Sequence, residues 1–326
     1  MKEYSLKELI PHFDSSYPVD WDKLFKRKAP LEVEIGFGLG EYLSRLAQEF
    51  PQKNFVGFEQ EWQRIFKALQ KIDFLKPSAD NLKILALDAR IGLRWLFSPE
   101  SIDRIYCLFP CPWPKTKHIH HRLFSLDFLA LANNRLKQKG ELKIVTDFFP
   151  YGQWILGQIP EGAFEVKTRI VQPAYQTKYE RKWLASGKEQ FLEIQLIKNN
   201  HLNPAPLKVS GVKSFKLKNF DPDRFLTQVQ RMQKAEPSIV LCHDPQKQFS
   251  VIYKDMLFDR GAKRALIQAL VVEEHLRQYL WIEILKTKGI FWRLHKTKGQ
   301  QLFLTPGINR ALEVVYDFVE NREKKV

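Results

Sequence analysis

Up to about residue 160 the chain alternates two patterns. Short, nearly unbroken apolar runs at Leu31–Val33, Asn54–Phe58, Leu82–Leu87, Ile102–Phe109 and Glu141–Val145 read as strands. Between them, apolar residues recur every three or four positions over Glu41–Phe50, Glu61–Ile72, Arg90–Leu96, Leu126–Leu136 and Tyr151–Gln158, which predicts helices. This β-α-β-α order implies a parallel sheet covered on both faces. Phe164–Val171 and Phe191–Ile197 bring the strands to seven and would close the sheet with an antiparallel edge. The polar, proline-broken stretch Asn199–Pro206 reads as a linker, so a first domain is expected over 1–200 and a second over 201–326. In the second, helices are expected at Asp223–Lys234, Ala262–His275 and Ile308–Val319. Strands are expected there at Ser238–Cys242, Ser250–Tyr253, Tyr279–Leu285 and Phe291–Leu294, making a small α+β module.

The turn after the first strand carries the sharpest signal. Residues 34–40 read Glu34-Ile35-Gly36-Phe37-Gly38-Leu39-Gly40, an apolar strand running into three alternate glycines before a helix. Glycine lets the backbone turn tightly and approach a nucleotide-like ligand without a Cβ in the way. A dinucleotide fingerprint needs G-x-G-x-x-G, and its third glycine would fall at Glu41. That speaks against a nicotinamide-dependent oxidoreductase. G-x-G-x-G with a carboxylate two residues ahead suits a ligand with no pyrophosphate to cradle, and S-adenosylmethionine is the candidate. Two further carboxylates end successive strands: Glu59 after the second, placed to accept from ribose hydroxyls, and Asp88 after the third, placed to face an adenine amino group. Either alone reads as a solvated loop residue or a helix cap; three such turns on one sheet edge read as a site.

Composition changes the picture in one respect. Of 326 residues, 52 are Lys or Arg and 37 are Asp or Glu, a net charge of +15 that calls for an anionic partner. No apolar run approaches the roughly 18 to 20 residues of a spanning helix, so no membrane partner is expected, and the first eight residues carry acids rather than the apolar core of a signal peptide. Cys107, Cys111 and Cys242 form no C-x-x-C and suit a reduced, cytoplasmic protein without a disulfide framework or structural zinc.

The fourth strand ends in Phe109-Pro110-Cys111-Pro112-Trp113-Pro114-Lys115. Prolines flanking one residue, followed by an aromatic ring, make a stiff loop on the ligand edge. Enzymes that methylate base nitrogens use such loops, the ring stacking on the base while the backbone holds the nitrogen in line with the methyl group. The bland reading is a proline-rich turn with a half-buried tryptophan. Downstream, Lys115, Lys117 and Arg122 interleave with His118, His120 and His121, a basic run suited to phosphate contacts. Metal binding by these histidines is disfavoured, because no helix would place two of them at i, i+4 and no cysteine accompanies them.

Taken together, the motifs resemble those of the bacterial tRNA (guanine-N7)-methyltransferase family, which acts on guanosine 46 of the tRNA variable loop. The resemblance rests on Glu34–Gly40, Gly57-Phe58-Glu59, Asp88-Ala89, Phe109–Arg122, Thr146-Asp147 and Thr177-Lys178-Tyr179-Glu180, spanning roughly residues 30–197. It implies a Rossmann-like, mostly parallel seven-stranded sheet and S-adenosylmethionine as methyl donor, bound by Glu34, Gly36, Gly38, Gly40, Glu59 and Asp88. It also implies tRNA contacts from Lys115, Asp147, Thr177, Lys178, Tyr179 and Glu180, with a monomer or homodimer as the working form.

One departure bears on catalysis. Between the prolines the family carries an aspartate, usually taken as catalytic, and here Cys111 stands in its place. Guanine N7 already has an in-plane lone pair and no proton, so its methylation needs no general base. What it needs is alignment and an environment that tolerates the cationic product. A thiol offsets that charge poorly, and loss of one such contact costs on the order of 10²- to 10³-fold in rate. An active enzyme is therefore expected, with Asp147 or Glu180 taking over the carboxylate's part. The alternative is a catalytically impaired tRNA-binding subunit.

In A-form RNA the N7 edge lies in a groove that side chains do not enter, so the target must sit in a loop or be drawn out. Trp113, Tyr175 and Tyr179 are stacking candidates, with Tyr175 read as core. Residues 201–326 hold 22 Lys and Arg against 13 Asp and Glu, a net of +9, and are expected to add phosphate contacts or stability.

Overall fold

Leu31-Glu32-Val33-Glu34-Ile35 (β1) is buried at every position although two of its five residues are carboxylates. A strand buried on both faces belongs to the middle of a covered parallel sheet, and β1 is paired on both sides. β2 (Asn54–Glu59) flanks it in parallel with Val33 opposite Val56, and β4 (Ile102–Leu108) flanks it in parallel with Ile35 opposite Cys107. β3 (Leu82–Ala86), β5 (Leu136–Thr146), β6 (Phe164–Val171) and β7 (Phe191–Lys198) complete the order β3-β2-β1-β4-β5-β7-β6, with β7 antiparallel to both β5 and β6. The mostly parallel seven-stranded sheet and its antiparallel edge are as the hydrophobic pattern implied. The computed structural model describes residues 5–10, 17–73, 80–204, 211–218, 220–227, 239–244, 249–273, 276–287, 289, 291–300 and 302–320. By its contacts the chain divides into two units, 1–206 and 207–326.

Among the described residues of the first unit, seven α-helices connect or precede the strands: α1 (Trp21–Phe25), α2 (Glu41–Glu49), α3 (Trp62–Asp73), α4 (Ala89–Leu96), α5 (Leu126–Arg135), α6 (Phe149–Leu156) and α7 (Lys178–Ala185). Each long helix turns one apolar stripe to the sheet, as Tyr42, Leu43, Leu46 and Ala47 do on α2 and Ile65, Ala68, Leu69 and Ile72 do on α3. Side-chain caps set several starts: Asp88 accepts from the Arg90 N–H at α4, Ser125 from Phe128 at α5, and Thr177 from Glu180 at α7. Of these helices α1 and α7 were not expected from the periodicity. The outer strand β6 is exposed along most of its length and carries Glu165, Lys167 and Arg169. At the opposite side, residues 8–10 run beside β3: the Ile84 N–H donates to Glu8 O (2.8 Å) and the Ile10 N–H to Ile84 O (2.9 Å).

The second unit is a six-stranded antiparallel sheet. Its strands β8 (Phe215–Leu217), β9 (Ile239–Asp244), β10 (Phe249–Asp259), β11 (Arg264–Glu273), β12 (Leu276–Lys286) and β13 (Trp292–Lys296) run in the order β8-β13-β12-β11-β10-β9. The helix expected over Ala262–His275 is instead β11, paired along its length with β10 and β12. Its buried residues, Ala265, Ile267, Ala269 and Val271, alternate as a half-covered strand requires. Apolar residues at both parities had hidden that alternation. Helix α9 (Pro306–Val319) lays Ile308, Ala311, Leu312 and Val315 over this face. Residues 222–227 form a short helix α8, and the remainder of the helix expected at Asp223–Lys234 lies outside the described residues. Among the described residues no helix is long and apolar enough to cross a membrane.

Gly57 shows how tightly β2 meets the loop after β1. A Cβ there would lie 2.4 Å from Leu43 Cδ2 and 2.6 Å from Phe37 Cδ1, both side chains being buried. Gly57→Ala is expected to destabilise the fold by about 1–3 kcal/mol through overpacking, read as a lower midpoint of thermal unfolding.

Candidate active site

Strand order reverses at β1 and β4, and open α/β sheets bind ligands in the crevice at the carboxyl ends of such a pair. The glycine loop leaves β1 here. Gly36, Gly38 and Gly40 have φ of +71°, +58° and +72°, conformations that favour glycine. The loop is tied to β2 by the Gly36 and Phe37 N–H groups, which both donate to Phe58 O (2.8 and 3.2 Å). A side chain added at Gly36 would meet nothing within 4 Å, so the loop borders open space.

Glu34 is placed on β1 directly before this loop and is 3% exposed. Its Oε2 has no hydrogen-bond partner among the described residues. Burial, with the Glu59 and Glu41 carboxylates adding and Arg45 opposing, pushes its carboxyl up to about 8. A buried acid with one unclaimed oxygen beside an open glycine loop has the chemistry to accept a hydrogen bond from a group placed in that loop. Glu59, at the end of β2, accepts from the Gly38 N–H at 3.0 Å through Oε2 and from the Gln60 and Glu61 N–H groups at 2.8 and 3.1 Å through Oε1. Arg64 stands 3.6 Å from the same carboxylate. Asp88 is held by the Arg90 backbone N–H (2.7 Å), the Arg90 guanidinium (3.0 Å) and Gln60 Nε2 (3.1 Å). The three expected carboxylates therefore do converge on one edge, although Glu59 and Asp88 also serve the backbone.

The proline loop leaves β4 next to β1. Phe109 and Trp113 both have positive φ, +54° and +44°, rare for large side chains. Two contacts hold this conformation. The Phe109 N–H donates to Val145 O (2.7 Å), and Arg122, itself buried, donates from Nε to Pro112 O (2.9 Å) and from Nη2 to Trp113 O (3.4 Å). The Arg122 guanidinium lies over the Tyr151 and Trp154 rings at 5.1 and 5.0 Å. Arg90 Nη2 in turn donates to the His121 carbonyl (3.1 Å), so Asp88 and the proline loop belong to one connected frame. Cys111 is exposed at the loop's apex and Trp113 is half-buried beside the rings of His121 and His118, at 4.8 and 5.8 Å. The basic run 116–121 is a 3-10 turn with Lys115 exposed at its start. Among the described residues no three His, Cys, Asp or Glu side chains are grouped to hold a metal ion.

Asp147 follows β5, two residues beyond Val145, and so flanks the proline loop; it is mostly buried and 3.5 Å from Lys188 Nζ. In the Thr177–Glu180 segment, two side chains are engaged within the turn itself. Thr177 caps α7, and Glu180, 2% exposed, gives Oε1 to the Ala174 and Tyr175 N–H groups (2.8 and 3.0 Å) and Oε2 to the Gln176 N–H. Those two side chains build the turn, leaving Lys178 exposed and Tyr179 half-buried. Tyr175 is buried and donates its hydroxyl to Glu193, as a core residue. Sequence reasoning missed Arg122 as the loop's anchor, since it looked like one more cation in a basic run. It also missed Glu41, considered only as a missing glycine.

The Glu34 carboxyl gives a direct thermodynamic handle. In the folded chain it stays protonated up to about pH 8, whereas its ordinary value is 4.5, so unfolding releases a proton above that value. The stability associated with the neutral acid is complete below about pH 4.5 and is lost as pH rises through about 8. Glu34→Gln fixes the neutral form. Its melting temperature is expected to exceed that of the unliganded wild type increasingly from about pH 5 to pH 8 and to converge with it at lower pH, as followed by calorimetry.

Residues 28–192 match the family model described as "Putative methyltransferase", half of the chain. The tRNA (guanine-N(7)-)-methyltransferase of Chlorobium phaeobacteroides is 42% identical over 183 residues, covering 56% of this chain and 89% of that protein. The Thermotoga maritima protein of the same name is 39% identical, over 58% of this chain and 60% of its own. The Aquifex aeolicus one is 27% identical over 87% of this chain and 92% of its own, reaching into the second unit. With the seven-stranded sheet, the glycine loop and the proline-aromatic loop in their expected order, this chain belongs to the tRNA (guanine-N7)-methyltransferase family.

Proposed function

We propose that the protein transfers the methyl group of S-adenosylmethionine to N7 of guanosine 46 in the variable loop of tRNA, in the cytoplasm. The observation that carries this reading is the juxtaposition of two loops. The glycine loop with buried Glu34 and the stiff Pro110–Pro114 loop leave hydrogen-bonded neighbour strands, with Ile35 opposite Cys107. A donor bound at the first is thereby adjacent to a base stacked at the second.

The residues present fit the donor. Glu34 offers an unclaimed carboxyl oxygen, Gly36 and Gly38 border open space while Gly40 packs against Ala68 of α3, and Glu59 and Asp88 have lone pairs left for hydroxyl and amino groups. S-adenosylmethionine supplies an electrophilic methyl group on a sulfonium centre. The protein's own work is then alignment and charge. Trp113, pinned through its carbonyl by Arg122, presents a stacking surface that needs little reorganisation when a base arrives. N7 holds its lone pair ready, so no side chain has to remove a proton. The purine becomes cationic as the bond forms, and a nearby carboxylate lowers that cost.

Two residues were candidates to replace the family's aspartate at Cys111. Glu180 has spent both oxygens on three backbone N–H groups, whereas Asp147 stands at the end of the strand beside the proline loop and, among the described residues, pairs with Lys188 alone. Asp147 is therefore the carboxylate assigned to the reacting guanine, and Cys111 is a small spacer that keeps the loop narrow. Lys115, Lys117 and Lys178, all exposed, would contact phosphates, with Tyr179 at the rim. Residues 201–326, as a basic domain, would add phosphate contacts.

Methyl transfer from labelled S-adenosylmethionine to an unmodified tRNA transcript, followed by borohydride–aniline cleavage, is expected to locate 7-methylguanosine at position 46. Cys111→Ala should stay within about tenfold of wild-type kcat, and Asp147→Asn should lose on the order of 10²- to 10³-fold. If Cys111→Ala abolishes turnover while both ligands still bind, the assignment to Asp147 is wrong.

A further inference from the structure

Glu41 opens α2 immediately after Gly40, at the position where a dinucleotide fold would carry its third glycine. Its side chain is turned to a distant part of the chain. Oε2 accepts the Lys178 backbone N–H at 2.7 Å, across 137 positions of sequence, and Oε1 accepts from the Arg181 guanidinium with Lys71 Nζ 3.4 Å away on α3. One carboxylate thus joins the end of the glycine loop, α3 and the first turn of α7.

This differs from an ordinary surface ion pair, which contributes little. The Glu41 side chain is 18% exposed, and one of its partners is a main-chain N–H that has no acceptor within its own helix turn. Burial would raise its pKa, but the Arg181, Lys178 and Lys71 donors outweigh that and hold it below the usual value. The 174–181 turn is accordingly shaped by two carboxylates. Glu180 folds it internally around Gln176, whose φ is +55°, and Glu41 fixes it from outside. Two further contacts run the same way. Arg45 Nη2 donates to Ala174 O (3.4 Å), and Arg64 lies between Glu59 Oε2 (3.6 Å) and the Tyr179 ring (6.0 Å).

We propose that Glu41 is a positioning residue that locks the Gln176–Arg181 turn to the glycine loop, so that methyl-donor binding and tRNA binding strengthen each other. The inference rests on the donor and tRNA sites proposed above. Gly38 is held by Glu59, and Glu41 begins two peptide units after Leu39, so a ligand that settles into the glycine loop sets the start of α2 and with it the Lys178 N–H. Contacts from tRNA to Lys178 and Tyr179 act on the same junction from the other side. Linkage makes the effect reciprocal.

Titration calorimetry with S-adenosylhomocysteine, with and without saturating unmodified tRNA, measures the coupling in the full-length protein. Wild type is expected to bind S-adenosylhomocysteine about tenfold more tightly when tRNA is present, within the usual range of such couplings. In Glu41→Ala each ligand alone should bind within about threefold of wild type, while the tenfold factor falls to near one. Glu41→Gln retains an acceptor for the Lys178 N–H and should recover part of it, and it serves as the test if the alanine variant does not fold by circular dichroism. A wild type without coupling, or a Glu41 variant with undiminished coupling, overturns the proposal even if 7-methylguanosine is formed. A wild type that binds no S-adenosylhomocysteine overturns the functional reading and this inference together.

Discussion

The site depends on where the sheet changes direction. From β1 the chain builds outward through β2 to β3, then returns to lay β4 on the other side of β1 and continues to β5. Helices following neighbouring strands on either side of that reversal lie on opposite faces, so the carboxyl ends of β1 and β4 are left uncovered. Both loops with chemical character leave the sheet there. The apolar residues that bury β1, β2 and β4 on both faces serve the site indirectly, because they fix these two loop bases within one strand spacing of each other.

Around that crevice a single interaction type recurs: a carboxylate accepting main-chain N–H groups that helices and strands leave without partners. Glu59 accepts from Gly38, Gln60 and Glu61, Asp88 from Arg90, Glu180 from three residues of its turn, and Glu41 from Lys178. Charge-assisted bonds of this kind are roughly twice as strong as neutral ones, and they leave loops rigid without an apolar core of their own. Glu34 differs in one respect: its buried Oε2 has no hydrogen-bond partner among the described residues. That contrast is what singles out Glu34 as the acid proposed to meet a ligand, while the others hold the frame.

The inner strands of the first unit, β1 and β2 above all, were legible because strands covered on both faces read as continuous apolar runs. β11 was not, because its sequence is apolar at both parities and rich in Ala and Leu, so nothing local distinguishes a strand from a helix. In the site, the glycine loop and the proline loop were visible as spacings. The destinations of individual side chains were not. Thr177-Lys178-Tyr179-Glu180 has the T-x-x-E form of a helix-capping box, a local signal that would have pointed to the structural role of Thr177 and Glu180. Glu41 and Arg122 act on partners brought near only by the fold, and no short-range pattern announces them.

The two margins of the seven-stranded sheet carry a consequence for how the molecule keeps company with its own kind. An open strand margin is a template for pairing with another chain. One margin, β3, is occupied by the main chain of residues 8–10. The other, β6, is studded with Glu165, Lys167 and Arg169, whose charges would have to be stripped of water before a neighbouring strand could dock. A strongly cationic protein is drawn to polyanions at high local density, where crowded copies have every opportunity to stick. This sheet is guarded against that form of aggregation at both ends by its own sequence.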